Sequence, residues 1–319
     1  MSEKPKEESF RDHPDLQIVS RDFGVPYSKG LMAQSIMATG LPPERAYHVA
    51  QEIERHLIES GESSITMLRL RGIAQQVLGE EEGQSFTERY RLWRQLRQLE
   101  RPLIILIGGA TGVGKSTLAT QVAHRLGVTR LTSTDAIRQV MRACFSKNLM
   151  PSIHYSSFEA GKVVRAADKR GADRDISGFV SQIEKVCVGV NAIIERTIKE
   201  GMWMVVEGAH VVPGFLNEKQ WKDALVIQLL MVVEDEESHR SHFVVRDQET
   251  EGVRSLEKYV ENLEKIRRVQ SFLIERARAA GVPVIDNHSI DDAVKIVMGI
   301  VLDAVNQYQK SCNLKIEVN

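Results

Sequence analysis

The fold class of this chain follows from one stretch, Leu103-Ile104-Ile105-Leu106-Ile107-Gly108-Gly109-Ala110-Thr111-Gly112-Val113-Gly114-Lys115-Ser116-Thr117. Its first five residues are continuous, apolar and rich in β-branched side chains, which is typical of a strand buried on both faces. Residues 118–126 have a helical pattern, and Gly127 can end that helix because glycine adopts the left-handed conformation easily. The sequence therefore predicts a strand, a glycine-rich loop and a helix in direct succession.

The loop between them fits the pattern G-x-x-x-x-G-K-[ST] of a phosphate-binding loop. Gly112 and Gly114 allow positive φ, so backbone N–H groups can surround phosphate oxygens while the helix directs its positive end at them. Lys115 can reach the β- and γ-phosphates, and the Ser116 hydroxyl can bind Mg²⁺. We therefore expect a nucleoside triphosphate and Mg²⁺ here, with nine nucleotide-binding residues: Gly109, Ala110, Thr111, Gly112, Val113, Gly114, Lys115, Ser116 and Thr117.

Composition places the chain among ordinary globular proteins. It has 319 residues, enough for two domains at roughly 150 residues each, and a net charge of −1, so no overall field favours nucleic acid or an anionic membrane. Its three cysteines are far apart and predict reduced thiols. Because no apolar run approaches the ~18 residues of a membrane span and the charged N-terminus differs from a signal peptide, we expect a cytoplasmic protein. The sequence leaves homo-oligomerisation open.

Strand and helix patterns alternate after the loop, which predicts an α/β domain with a parallel sheet and helices on both faces. The four later strands are expected within residues 131–134, 202–206, 224–233 and 282–285. One helix is expected over 256–280 and a last one over 290–308. Ligands of such folds bind outside the carboxyl ends of the strands, so polar residues that follow each strand become site candidates.

Acidic residues follow two of these strands. Asp135 follows the second strand, where a carboxylate could accept the proton of an attacking hydroxyl; alternatively it caps the next helix. Glu207 ends the third strand and is the candidate metal carboxylate beside Ser116. His210 lies three residues further and is predicted either to touch substrate or to form a structural hydrogen bond.

Cationic residues are candidates for binding an anionic acceptor. Arg138 and Arg142 lie one helical turn apart and share a face, although that face could also be merely solvated. Residues 146–178, called the acceptor segment below, form a long irregular excursion, which in an α/β domain is usually functional; the alternative is a surface insertion. Its candidate substrate-binding residues are His154, Ser156, Ser157, Lys162 and Arg165.

A charged stretch after the fourth strand predicts a lid over ATP, with catalytic Arg240 and Arg246. On one straight helix these two residues would point ~240° apart, so we expect a break between them or contacts with different groups. Asn287 follows the fifth strand and is a candidate for reading the adenine edge.

Residues 16–99 form a separate, mostly helical unit after a disordered tail over 1–15. This unit resembles the ATP-cone, a regulatory nucleotide-binding domain, through Ile18-Val19-x-Arg21-Asp22, Pro26-Tyr27-Ser28-Lys29 and the turn at Thr39-Gly40-Leu41. Ser20 and Phe23 depart from the family pattern. The resemblance implies a nucleotide effector at this domain; the alternative is a helical packing domain. Residues 100–319 then form the kinase-like domain.

With the phosphate loop, further motifs make the chain similar to the 2-phosphoglycerate kinases: Ser133-Thr134-Asp135-x-x-Arg138, His154-x-Ser156-Ser157, Glu207-Gly208-x-His210-x-x-Pro213-Gly214 and His239-Arg240-x-x-Phe243. The resemblance implies phosphorylation of 2-phosphoglycerate by ATP to 2,3-bisphosphoglycerate, with a small phosphorylated metabolite as partner. Two alternatives stay open: a kinase of another phosphorylated metabolite, such as mevalonate 3-phosphate, or a regulatory ATP-binding protein without catalysis.

Overall fold

The computed structural model describes residues 29–61, 67–164, 173–249 and 256–317. The predicted tail over 1–15, the ATP-cone motif residues 18–28, Arg165 and the side chains of Arg246 and Cys312 lie outside the described residues. The chain divides into two compact units, one of residues 1–99 with 298–319 and one of residues 100–297. Within the described ranges, no helix is long and apolar enough to cross a bilayer.

The first unit is helical. Its helices are α1 (Lys29–Met37), α2 (Pro43–Ser60), α3 (Met67–Leu78) and α4 (Glu80–Arg97). Pro43 occupies the first turn of α2, where its missing N–H has no cost, and Gly61 ends that helix in the left-handed conformation. Ile36, Ile53 and Leu70 are fully buried in its core. The first turn of α4 is acidic and complements the positive end of the helix dipole.

The second unit contains the predicted parallel sheet. Its strands are β1 (Leu103–Gly108), β2 (Arg130–Ser133), β3 (Met204–Gly208), β4 (Leu225–Val232) and β5 (Val284–Asp286). They pair in the order β2-β3-β1-β4-β5, and all four pairings are parallel. Every residue of β1 is buried, as its apolar run predicted. The strand order reverses direction at β1, so the crevice beside its carboxyl end is the expected ligand position.

Helices connect the strands of this unit. They are α5 (Lys115–Leu126), α6 (Thr134–Cys144), α7 (Arg174–Lys199), α8 (Glu236–Glu249), α9 (Leu256–Glu261), α10 (Leu263–Ala280) and α11 (Ile290–Glu317), whose residues from 298 belong to the first unit. Short 3-10 helices span Pro151–His154, Ser157–Val163 and Glu218–Gln220. The single helix expected over 256–280 is interrupted at Asn262, which precedes α10 with non-helical geometry, and the last helix runs past Tyr308.

Strand register brings the predicted acidic residues to one edge of the sheet. Glu207 pairs with Ile107 of β1 on one side and with Ser133 of β2 on the other. The phosphate loop follows β1 one residue later, and Asp135 lies in the first turn of α6. The carboxyl edge of β1, β2 and β3 therefore collects the loop, Glu207 and Asp135.

Candidate active site

The phosphate loop has the backbone conformations that its glycines predicted. Gly112 has φ 86° and Gly114 has φ 89°, a region that residues with a Cβ rarely adopt. A Cβ on Gly114 would lie 2.6 Å from Nδ2 of Asn287, and that amide donates a hydrogen bond to the carbonyl of Val113 at 3.1 Å. The structure thus places Asn287 against the backbone of the loop, where it braces the loop from the end of β5.

Lys115 is the first residue of α5, and Gly114 occupies the preceding cap position. Its Nζ donates to the carbonyl of Ala110 at 2.6 Å. Burial lowers the pKa of Lys115, whereas the carboxylates of Glu207 and Asp135 act in the opposite direction. Both predicted acidic residues are therefore close enough to Lys115 to affect its charge.

Ser116 and Glu207 are neighbours, as a shared metal site requires. The Ser116 hydroxyl donates to Oε1 of Glu207 at 3.0 Å, and the Glu207 residue is 8% exposed. One hydroxyl and one carboxylate form an oxygen donor set, and Mg²⁺ is typically held by one or two protein oxygens together with substrate phosphates and water. The two side chains therefore fit Mg²⁺ bound with a nucleoside triphosphate.

Asp135 is not the cap of α6. The cap is Ser133, whose hydroxyl accepts a hydrogen bond from the N–H of Ala136 at 3.0 Å. The carboxylate of Asp135 is therefore not used to cap the helix. Nε of Arg138 donates to Oδ1 of Asp135 at 3.1 Å. Burial tends to raise the pKa of Asp135, but the Arg138 guanidinium and other nearby cations hold it below its ordinary value. Asp135 is a carboxylate at neutral pH.

Arg138 also holds the acceptor segment. Its Nη1 donates to the carbonyls of Ile153 at 3.0 Å and Tyr155 at 2.9 Å. One guanidinium thus connects the Asp135 carboxylate to the backbone of this segment. Arg142, one turn further along α6, donates from Nη1 to the side chain of Gln139 at 3.0 Å.

His210 belongs to a buried network behind Asp135. Its Nδ1 lies 2.9 Å from Oγ1 of Thr134, and its Nε2 lies 3.0 Å from Oε1 of Gln182. The amide of Gln182 donates to the carbonyls of Ser152 and Tyr155 at 2.6 and 3.0 Å. Burial lowers the pKa of His210 to about 4. Of the two roles considered from sequence, these contacts favour the structural hydrogen bond.

The acceptor segment reaches the phosphate loop. Oγ of Ser157 lies 3.5 Å from Oγ1 of Thr111, and Nζ of Lys258 in α9 lies 3.5 Å from Oγ of Ser156. The serine pair predicted to bind substrate therefore lies beside the loop.

Other predicted residues of the acceptor segment have partners within the protein. His154 contacts the carbonyl of Phe145 at 2.9 Å through Nε2. Glu159 forms ion pairs with Lys162 at 2.6 Å and with Lys258 at 2.8 Å. Although burial opposes the shift, these two lysines lower the pKa of Glu159 to about 2. Lys162 is exposed. The second cation on Glu159, Lys258, was not a candidate from sequence.

Two glycines bring the acceptor segment directly against α7. A Cβ on Gly178 of α7 would collide with the carbonyl of Ala160. A Cβ on Gly161 would lie 2.8 Å from Cα of Asp175 at the start of α7. The 3-10 helix Ser157–Val163 and α7 are therefore in contact along their backbones.

Helix α8 lies against the phosphate loop. Nε2 of His239 is 2.8 Å from the carbonyl of Thr111, and Nδ1 of His242 is 3.0 Å from the carbonyl of Gly112. Arg240 is exposed and lies 4.0 Å from Glu236, one turn earlier. The helix runs unbroken from Glu236 to Glu249, so the break considered between Arg240 and position 246 is absent from it. The alternative, contacts with different groups, remains a prediction.

Sequence reasoning assigned no role to several residues of this site. They are Thr134, Gln182, His239, His242, Phe243 and Lys258. The motif His239-Arg240-x-x-Phe243 was a usable signal, because positions 239, 242 and 243 share one face of a helix. No local pattern marks Gln182 or Lys258, since each meets its partners through contacts between segments distant in sequence.

Comparison with known proteins gives a consistent set of relatives. No family model matches the chain. The 2-phosphoglycerate kinase of Methanopyrus kandleri is 38% identical over 301 residues, which cover 94% of this chain and 91% of that protein. The 2-phosphoglycerate kinase of Methanothermobacter thermautotrophicus is 39% identical over 283 residues, 88% of this chain and 92% of that protein. A solved structure of an uncharacterized protein from Eubacterium ventriosum covers 63% of this chain and 98% of its own, with 17% identity and a TM-score of 0.35.

Proposed function

The chain belongs to the 2-phosphoglycerate kinase family, and from this premise we propose that it transfers the γ-phosphoryl group of ATP to the free hydroxyl of 2-phosphoglycerate. The products are 2,3-bisphosphoglycerate and ADP. The observation that carries the proposal is that Lys115, Glu207 and Asp135 lie together at the carboxyl edge of the sheet. The two carboxylates are close enough to raise the pKa of Lys115, against the effect of its burial. A kinase needs a phosphate-binding cation, a metal carboxylate and a group for the attacking hydroxyl at one place.

The nucleotide side uses the loop residues Gly109–Thr117. Backbone N–H groups of the loop and the start of α5 bind the phosphates, and Lys115 moves from the carbonyl of Ala110 to phosphate oxygens. Ser116 and Glu207 would hold Mg²⁺. When bound, Mg²⁺ neutralises charge on the triphosphate.

Asp135 receives the acceptor hydroxyl. Its lowered pKa keeps it ionised, so it can accept a hydrogen bond from the C3 hydroxyl and turn the oxygen toward the γ-phosphate. The hydroxyl proton passes to this carboxylate as the new O–P bond forms and the bond to ADP breaks. Accepting this proton as the O–P bond forms is the step that a neutral side chain of the same size could not perform.

Cationic residues bind the charged groups of the acceptor. The carboxylate and phosphate of the acceptor are bound by side chains of α6 and of the acceptor segment: Arg138, Arg142, Ser156, Ser157, Lys162 and Arg165. Two arginines of α8, Arg240 and Arg246, bind the phosphoryl group that is transferred. Support comes from Arg138, which already joins Asp135 to the carbonyls of Ile153 and Tyr155. A carboxylate and a phosphate would give these cations charged partners in addition to those that they have within the protein, and the planar fork of arginine matches both groups.

The proposal is tested by phosphorus NMR of the product formed from ATP with each of four acceptors: 2-phosphoglycerate, 3-phosphoglycerate, glycerate and mevalonate 3-phosphate. We expect preferred turnover of 2-phosphoglycerate and the signals of 2,3-bisphosphoglycerate. Preferred turnover of mevalonate 3-phosphate would reject the named acceptor but retain a phosphorylated one. Preferred turnover of glycerate would reject the role given to the cations, and absence of turnover with all four would reject the proposed activity.

A further inference from the structure

Two histidines of α8 hold carbonyl groups of the phosphate loop. Nε2 of His239 lies 2.8 Å from the carbonyl oxygen of Thr111, and Nδ1 of His242 lies 3.0 Å from the carbonyl oxygen of Gly112. A carbonyl oxygen only accepts, so each ring must present an N–H at that nitrogen. The two rings therefore donate from different nitrogens to consecutive peptide groups of the loop.

The hydrogen bonds fix the direction of two backbone N–H groups. In a planar trans peptide the C=O and N–H point in opposite directions. The carbonyl of Thr111 shares its peptide with the N–H of Gly112, and the carbonyl of Gly112 shares its peptide with the N–H of Val113. Because α8 binds both carbonyls, the two N–H groups point away from α8. A phosphate-binding loop uses inward N–H groups of this kind to bind phosphate oxygens.

An aromatic stack fixes the position of α8 on the loop. Phe243 is fully buried, and a Cβ on Gly112 would collide with its ring. Its ring stacks on His239 with centroids 5.2 Å apart and on Tyr259 of α9 with centroids 5.0 Å apart. Tyr259 in turn meets Phe158 of the acceptor segment edge to face at 6.0 Å. The face of α8 that carries the histidines is thus packed between the loop and α9.

His239 is a neutral donor in this setting. Burial lowers its pKa, the hydrogen bond to Thr111 opposes that shift, and the positive charge of Arg267 adds to the lowering. Its Nδ1 is buried without a partner among the described residues, so this nitrogen gains nothing from a proton there. The neutral ring with its proton on Nε2 suits a structural donor to the loop.

We propose that His239 and His242 are positioning residues for ATP, which orient the N–H groups of Gly112 and Val113 toward the phosphates. This rests on the proposed function only in that the loop binds ATP; it does not depend on which acceptor is used. It also assigns to α8 a role that its arginines do not supply, because the histidines act through the loop backbone.

Amide side chains distinguish the hydrogen bond from simple packing. The amide nitrogen of glutamine occupies roughly the place of histidine Nε2, and that of asparagine the place of Nδ1. We therefore expect His239→Gln to retain ATP binding and His239→Asn to weaken it about five-fold, the loss typical of one neutral hydrogen bond. The order should reverse at the second position, with His242→Asn retained and His242→Gln weakened. Ser241→Ala, exposed on the same helix, serves as the matched control and should bind as the unmodified protein does.

The measurement is the dissociation constant of ATP with Mg²⁺ by titration calorimetry on the full chain, without acceptor. Equal affinity of all four amide variants and the unmodified protein would overturn the proposal, and so would equal weakening of all four. A protein that binds ATP with this pattern but does not phosphorylate 2-phosphoglycerate would reject the proposed function and retain this inference.

A second measurement uses the unmodified protein and so does not depend on the folding of a variant. Nitrogen-15 NMR of the imidazole rings in the unmodified protein distinguishes the two neutral tautomers. We expect His239 to carry its proton on Nε2 and His242 to carry its proton on Nδ1. The opposite tautomer at either ring would leave a lone pair facing a carbonyl and would overturn the proposal for that residue.

Discussion

The phosphate loop and the acceptor segment lie at the same edge of the sheet but are held in different ways. The loop is formed by a contiguous stretch, and Asn287, His239 and His242 brace its backbone carbonyls. The acceptor segment is held by side chains from distant parts of the chain, chiefly Arg138 and Gln182. The loop is therefore encoded locally, whereas the segment that we propose for the acceptor depends on tertiary contacts for its position.

The largest expected effect is on the loop side of this comparison. Lys115→Ala should reduce turnover about 10³-fold or more, because a preorganised cation at the transferring phosphate is lost. The fold should be retained, as judged by circular dichroism. Steady-state assay of ADP formation measures the effect, with Lys199→Ala, an exposed lysine of α7, as the control. Normal turnover by a folded Lys115→Ala protein would contradict the assignment of the site.

Asp135→Asn tests the point where the two regions meet. Asparagine keeps the size of the side chain but cannot accept a proton, so we expect kcat to fall about 10²- to 10³-fold with ATP affinity nearly unchanged. Because Ser133 caps α6, thermal stability should change little. A loss of stability that accounts for the loss of rate would instead support a structural role.

Arg138→Lys tests the acceptor side. Lysine cannot reproduce the planar fork that joins Asp135 to the carbonyls of Ile153 and Tyr155. We expect the KM for the acceptor to rise or kcat to fall by about ten-fold, with ATP binding by calorimetry nearly unchanged. If ATP affinity fell as much as acceptor affinity, the division between the two regions would be wrong.

His210 should affect stability more than chemistry. Its folded pKa, about 4, is below its ordinary value of 6.5, so the unfolded chain binds more protons between these values. The stabilisation is fully present above pH 6.5 and is lost as the pH falls toward 4, by at most about 3 to 4 kcal/mol at about 1.4 kcal/mol per pKa unit.

Urea unfolding at pH 7.0, 6.0, 5.0 and 4.5 measures this loss. His210→Gln, which has no titrating group there, should show a flatter dependence on pH than the unmodified protein. The substitution Gln121→Ala, at an exposed position of α5 without a titrating group, is the control for the effect of substitution itself. An unchanged slope in His210→Gln would show that His210 does not titrate in this window.

Most features of the phosphate loop and its strand could be predicted from the sequence, because the patterns that mark them are local. The β1 run and its glycines predicted the buried strand and the positive φ angles that the structure has. The position of Glu207 at a strand end made it a site candidate, and its Oε1 lies 3.0 Å from Oγ of Ser116. Parallel pairing of five strands also followed from alternation of strand and helix. These features depend on periodicity and on chain order.

The parts that sequence could not supply depend on side-chain direction. The one-turn spacing of Arg138 and Arg142 predicted a shared face, but not that Arg138 would bind carbonyls of the acceptor segment. His210 could not be assigned because it lies in the turn after β3, whereas its partners Thr134 and Gln182 come from α6 and α7. The histidines of α8 stood in a recognised motif, yet their role depends on where that helix packs.

Two glycines, one in α7 and one in the acceptor segment, allow the backbones of these two elements to touch. At Gly178 of α7 and at Gly161 of the acceptor segment, a methyl group in place of the hydrogen would collide with backbone atoms of the other element. Backbone cannot rotate aside as a long side chain can, so an alanine at Gly178 must displace Ala160 or α7. Because we propose that this segment binds the acceptor, we expect a glycine-to-alanine change at either position to alter the range of acceptors that are phosphorylated.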